Sequence, residues 1–448
     1  MGRFIFLLTV ATVFAQQPAP APSPSDPVIR VNVRQVLVPV IVTDRKGHHV
    51  GGLHASDFHI QEDGVPQDVA SFSTSATASV DDITVLDKPS SETAQPSTAA
   101  TPRRTYVICL DTLHSSPAAT ARVREALENF FHEEKGTAVQ YVVVGIGRQL
   151  QVLQTATTSP LAVLQKIRGT AFQAIMGGPD AASLAAQISG LNNRMEEFCR
   201  RCACGVRSNQ RTCDPEIDTL KQSIDSQAAQ WSELFQAMTA QFKSVVAELA
   251  KLPTGRTLML VSGGFDPNPR RDFYSAVAAW LPSSPQFRLP STKDLDPTLQ
   301  EALKIAAERN VAIYGIDSRG AAVAGLSSSG SMDASSGGGG RGGQSVIRPT
   351  RTTPLESPGQ STATASAPAS AAMEQLSSST GGVYFHDSKD LLKQLRTATA
   401  DGREYYVLAY VPKNSATDGG FRKISVAVTG KNLEVRTKAG YWAGPSAQ

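Results

Sequence analysis

The chain has 448 residues, 41% of them hydrophobic and 19% charged, and a formal net charge of +3. That length exceeds one compact core and implies two or three units. The nearly balanced charge, with Lys and Arg dispersed along the chain, excludes a nucleic-acid partner, because neutralising phosphates takes a clustered basic patch.

The N-terminus reads "MGRFIFLLTVATVFAQQPAPAPSPSDP". Arg3, an apolar run through Val13 and Val-Phe-Ala before Gln16 predict a signal peptide over 1–15, cleaved after Ala15. The run is too short to span a bilayer, and no other stretch approaches the ~18 apolar residues of a membrane helix, so no transmembrane segment is expected. A buried N-terminal strand is the competing reading, but the Pro/Ala linker over 16–29 would not pack behind one. The predicted location is secreted or periplasmic.

Residues 30–75 alternate apolar and polar positions around Asp44-Arg45-Lys46-Gly47 and Asp63-Gly64, which predicts short strands joined by tight turns. The adjacent carboxylates Glu62 and Asp63 read as solvated turn residues of such a hairpin. A Ser/Thr/Ala/Pro-rich linker follows over 76–101.

From 102 to 320 the period changes. "RTYVICLD", "VQYVVVGIG", "RTLMLVSGG" and "NVAIYGIDSRG" are runs suited to strands buried on both faces. Between them Val123, Ala126, Leu127, Phe130 and Phe131, and later Leu234, Met238, Phe242, Val245, Val246 and Leu249, recur at helical spacing. Strand and helix in alternation predict an α/β unit, a mostly parallel sheet with helices on both faces.

Two stretches interrupt it. The segment 177–215 carries Cys199, Cys202, Cys204 and Cys213 and is expected to decorate an edge. In an oxidising compartment these favour two disulfides of undetermined pairing; zinc is the alternative, though Cys202-Ala-Cys204 is tight for a zinc knuckle. Cys109, alone in an apolar strand, reads as a small buried hydrophobe. The segment 321–370 is Gly/Ser/Ala-rich with too few apolar residues to offset the entropy of ordering, and predicts a disordered loop; it lacks the strand and the Gly-Lys-Ser/Thr of a phosphate loop. Residues 371–400 then predict a helix, a short strand and a last helix capped by Asp387 or Ser388, and 401–443 three more strands of period two. The N- and C-terminal strands together suffice for one β-sandwich with the α/β unit inserted between them; two separate β modules are the alternative.

Asp111 closes the first α/β strand and can be read in two ways. It can present oxygen to a cation, or it can accept backbone N–H bonds from the loop while Ser116 caps the next helix and Pro117 takes its first position. His114 reads as an exposed loop histidine. Asp111, His114 and Ser115 lie too close in sequence for the geometry of a hydrolytic triad, and there is no Gly-x-Ser-x-Gly elbow. Gly145-x-Gly147 lacks the third glycine of a dinucleotide loop. No enzymatic activity is expected, and a hydrolase of unusual geometry is the least favoured class.

"VNVRQVLVPVIVTDRKGHHVGGLHASDFHIQEDGVPQDVASF", "YVICLDTLHSS", "LMLVSGGFD", "TGGVYF", "YYVLAYVP" and "VRTKAGYW" together resemble the VWFA-related proteins of Acidobacteria, whose α/β unit is a von Willebrand factor type A domain. The resemblance implies a Rossmann-like domain that holds Mg2+ or Mn2+ at the C-terminal edge of its sheet. Of the family's Asp-x-Ser-x-Ser motif, Asp111 and Ser115 match, while Leu113 replaces the first serine and has no oxygen to give a hard cation. Thr170 stands for the later threonine, and Gly263 occupies the place of a second aspartate, for which Asp266 could substitute. A degenerate, weak metal site is therefore implied. The favoured function is an exported, non-enzymatic adhesion-type protein that binds a protein or cell-surface polymer at an edge formed by Leu113, His114 and Phe265. The alternative is a cell-envelope scaffold without a metal.

Overall fold

The computed structural model describes residues 35–75, 104–135, 139–177, 179–202, 210–252, 255–266, 268, 270–281, 284–289, 295–320, 366–386 and 390–444. The signal and linker expectations for 1–15, 16–29 and 76–101, and the loop expectation for 321–365, lie outside these residues.

At the centre is a six-stranded sheet of β5 (Arg104–Asp111), β6 (Val139–Ile146), β7 (Gln151–Thr157), β8 (Arg256–Ser262), β9 (Ala312–Asp317) and β10 (Tyr384–Phe385) in the order β10-β9-β8-β5-β6-β7. Every pairing is parallel except β6 with β7. In chain order this is 6-5-4-1-2-3, the doubly wound arrangement whose order reverses between the first and fourth strands. Strand β5 explains why both faces must be covered. Tyr106, Ile108 and Leu110 enter one core and Val107 and Cys109 the other, so neither side can face water.

One face carries α1 (Pro117–Glu133), α2 (Pro160–Arg168), α3 (Thr170–Met176) and α9 (Leu391–Asp401). The other carries α4 (Pro179–Cys202), α5 (Gln210–Ala250), α6 (Arg270–Ala278), α7 (Pro297–Glu308) and α8 (Ser366–Thr380). The segment 177–215 is thus no edge ornament. It forms α4 and the start of α5, and Leu191, Met195 and Phe198 on the one and Ile224 and Trp231 on the other join the core of this face. The apolar stripe of α5 extends further towards its N-terminus than its sequence alone suggested, through Ile224, Ala228, Trp231 and Phe235. Cys199 and Cys202 each take part in a disulfide; Cys204 and the side chain of Cys213 lie outside the described residues. Two boundaries also shift. Helix α8 begins at Ser366, inside the segment expected to be a loop, and α9 is capped by Asp390, which accepts from Lys393 N at 2.8 Å.

The outer strands form two antiparallel sheets, β13-β1-β11-β4 and β14-β12-β2-β3. The members are β1 (Val36–Asp44), β2 (Phe58–Glu62), β3 (Val65–Gln67), β4 (Val69–Thr74), β11 (Tyr406–Tyr410), β12 (Phe421–Val428), β13 (Leu433–Thr437) and β14 (Gly440–Trp442). Strands from the two ends of the chain are neighbours: β1 lies between β11 and β13, and β2 beside β12. Val38, Phe58, Ile60, Leu408, Tyr410 and Tyr441 fill the shared core. Glu62 is not the solvated turn residue its neighbour Asp63 suggested. It is 3% exposed, and its carboxylate accepts from Tyr410 Oη at 2.5 Å and Tyr441 Oη at 2.9 Å. Strand alternation points it inwards, and the two phenols compensate its burial.

Sandwich and α/β unit meet around Asp401 at the end of α9. Its carboxylate receives His49 Nε2 at 2.8 Å, Arg436 Nη2 at 2.9 Å and Tyr314 Oη at 3.0 Å.

Candidate functional site

The order of strands reverses between β5 and β8, and in open α/β sheets the crevice beyond the strand ends at that point is where ligands bind. Here those ends carry Asp111 and Ser262. The backbone of the β5–α1 loop folds back on Asp111: Oδ1 accepts from Leu113 N at 2.9 Å and His114 N at 3.1 Å. Oδ2 contacts His114 Nδ1 at 2.8 Å and accepts from Ser262 Oγ at 2.6 Å. Ser115 turns its hydroxyl away, donating to the Asp111 carbonyl at 2.6 Å. Ser116 Oγ accepts from Ala119 N and Pro117 occupies the first position of α1, so the helix starts as its sequence specifies.

His114 is buried rather than exposed, with 7% of its side chain accessible. Its ring lies 5.8 Å from Trp231, 6.3 Å from Phe235 and 5.7 Å from Phe265, centroid to centroid. Leu113 and Phe265 are 0% and 3% exposed. The three residues expected to form an open ligand edge are therefore buried, and Trp231 and Phe235 of α5 pack over His114 and Phe265. Sequence reasoning missed Ser262, Trp231 and Phe235. Ser262 was detectable as a polar residue ending a buried strand; the two aromatics were detectable as members of the α5 stripe, though not as partners of His114.

Electrostatics follow from this burial. Burial pushes the Asp111 pKa up, but the charge and hydrogen bond of His114, with the Ser262 bond, outweigh it and hold the carboxyl below its usual value. Burial likewise opposes charge on His114, and Asp111 overcomes it, raising the imidazole's pKa. The pair is a compensated Asp–His ion pair. Asp272, on α6, is pushed up to about 6 by burial, with Asp266 adding to the rise and His114 and Arg271 opposing it.

The residues do not fit the divalent cation that the von Willebrand resemblance implies. Both Asp111 oxygens are engaged by two donors each, which leaves no lone pair directed at an ion. Thr170 is exposed at the start of α3, a helix packed against the edge strand β7, and does not converge on Asp111. Asp266 accepts from Asn268 N at 2.8 Å and faces Arg271 at 3.4 Å, and burial raises its pKa. At Gly263 a Cβ would stand 2.1 Å from the His114 carbonyl oxygen, so the backbone of the β5–α1 loop fills the space a second aspartate needs. Among the described residues no group of three or more His, Cys, Asp or Glu side chains could hold a metal.

A hydrolytic reading also meets a geometric objection. In a triad the histidine stands between nucleophile and carboxylate. Here Asp111 stands between Ser262 and His114, and Ser262 is 0% exposed.

No family model matches the chain, and no curated protein does. Similar solved structures include an aerotolerance-related membrane protein from Bacteroides fragilis, at 8% identity and a TM-score of 0.30, covering 67% of this chain and 99% of that one. Another is the human COPII-coat protein Sec24c, at 7% identity and a TM-score of 0.30, covering 76% of this chain and 44% of that one. Likenesses this distant carry no argument, and the fold rests on the strand order itself. No described helix is long and apolar enough to cross a membrane.

Proposed function

We propose that this chain is an exported, non-enzymatic scaffold or binding protein whose von Willebrand A-type unit works without a metal ion. The observation that carries this reading is the saturated Asp111 cluster beneath Trp231, Phe235 and Phe265. A site in which every carboxylate oxygen is satisfied and every apolar neighbour is buried has no ground state that a ligand carboxylate could complete. The sandwich supports the scaffold side of the reading, because strands on both sides of the α/β segment build it and dock it on the α/β unit. Its partner, a protein or cell-surface polymer, is engaged by a surface other than the β5–β8 crevice.

The test is calorimetry of the full chain with Mg2+ and Mn2+ at millimolar concentration, paired with partner capture from the cell envelope with and without a chelator. No binding heat and chelator-insensitive capture are expected. Stoichiometric heat that Asp111→Asn abolishes would overturn the metal-free reading and restore the adhesion-site reading.

A further inference from the structure

The connection between β13 and β14 carries an unusual passenger. Lys438 is 4% exposed, and its Nζ donates to Ala307 O at 3.1 Å and Asn310 Oδ1 at 2.8 Å. Ala307 lies in the last turn of α7, where carbonyls have no partner within the helix, and Asn310 follows in a left-handed conformation at φ 52°. The lysine thus satisfies the end of an α/β helix from a sandwich segment. Beside it Ala439 N donates to Ser379 O of α8 at 3.2 Å, a backbone bond to the α/β unit, while the Thr437 side chain donates through Oγ1 to Pro39 O of β1 within the sandwich at 2.8 Å.

The titratable and charged groups at this junction come from several elements. Glu308 on α7 is exposed, acts on the amine through its charge, and makes no ion pair with it among the described residues. Arg436 on β13, His49 beyond β1 and Tyr314 on β9 are all committed to Asp401. Lys438 is therefore a buried amine with two neutral acceptors and no carboxylate in contact, the arrangement in which desolvation disfavours the ammonium form.

We propose that this contact is a proton-linked latch: seating the β13–β14 connection on the end of α7 favours the neutral Lys438 amine over the ammonium, so the junction tightens as pH rises and slackens as it falls. Burial lowers the lysine's pKa to about 7, with Glu308 opposing, whereas a solvated lysine titrates near ~10.4. The sign follows from linkage. Below about 7 the amine is charged in both states and the full cost of burying it is present. As pH climbs towards ~10.4 the seated state binds fewer protons than the released one, so the seating equilibrium grows by up to about tenfold per pH unit. Further acidification below the window adds nothing.

Two measurements on the full chain test the latch. With 13C-labelled lysine, one ε-carbon resonance is expected to titrate near 7 and to be missing from Lys438→Met. Equilibrium unfolding in denaturant across the alkaline window is expected to show the unfolding constant of the parent chain falling by up to about tenfold per pH unit relative to Lys438→Met. Parallel unfolding curves, or ε-carbon resonances that all titrate together at the alkaline position, overturn the proposal. Should Lys438→Met fail to fold, the parent chain's resonance titration decides the matter alone.

Discussion

Asp111 and Asp401 are both almost wholly buried, at 0% and 1% exposure, yet their partners come from very different distances along the chain. Asp111 is bonded by residues two and three positions away and by one strand-end serine. Asp401 is bonded by His49, Tyr314 and Arg436, at separations of 352, 87 and 35 residues. The first carboxylate ties the β5–α1 loop to the neighbouring strand end. The second joins the sandwich, which draws strands from both sides of the α/β segment in the chain, to the α/β unit itself. Buried charge thus has two structural uses in this molecule, one local and one long-range.

The largest effect is expected at the long-range hub. Asp401→Ala leaves the Arg436 guanidinium and two further donors without their common acceptor, and breaking a buried pair costs about 3–5 kcal/mol. Denaturant unfolding at neutral pH measures it; a loss below about 1 kcal/mol would reduce the hub to an ordinary surface pair.

Asp111→Asn is expected to cost about 2–3 kcal/mol, since it strands a buried imidazolium while most of the loop's hydrogen bonds survive. Its pH profile distinguishes the two aspartates more sharply than its size. The lowered pKa of Asp111 gives stability present above 3.8 and lost as pH falls, and the raised pKa of His114 gives stability present below 6.5 and lost as pH rises through the folded value. The difference between parent and variant should therefore peak between those two values. A difference that keeps growing above 8 would contradict the ion pair.

Gly263→Ala tests whether the loop, rather than the missing aspartate, closes the crevice. The added methyl meets the His114 carbonyl, and overpacking of this kind costs about 1–3 kcal/mol. A neutral melt would mean that the loop yields easily and that the site could reopen. The smallest expected change is at Glu62→Gln, where an amide oxygen can still accept from Tyr410 and Tyr441; about 1 kcal/mol is expected, read as a shift in the denaturant midpoint.

Much of the fold was legible in the sequence because local physics writes it there. The doubly apolar runs of β5, β6, β8 and β9, the three-and-four spacing of α1, and the Ser116-Pro117 start of that helix all report periodicity or capping, which neighbouring residues settle among themselves. The site was legible only in part. Asp111 as acceptor of its own loop's N–H groups was one of the two readings open. The packing over His114 was not legible, because nothing in "QAAQWSELFQAM" says which loop Trp231 and Phe235 will cover. Nor was Glu62, whose polarity argued for solvent until two tyrosines from distant strands came to meet it.

By itself, then, the amino-acid order determined the central strands β5, β6, β8 and β9, the alternating outer strands, and where α1 begins. Only the tertiary structure decided that Asp111 is spent, that Trp231 and Phe235 pack over His114, and that Asp401 and Lys438 bind the sandwich to the α/β unit. The reason is physical. Periodicity and capping act over a few residues, whereas the satisfaction of a buried charge depends on which groups folding brings within about 3 Å of it, and those groups can stand hundreds of positions away.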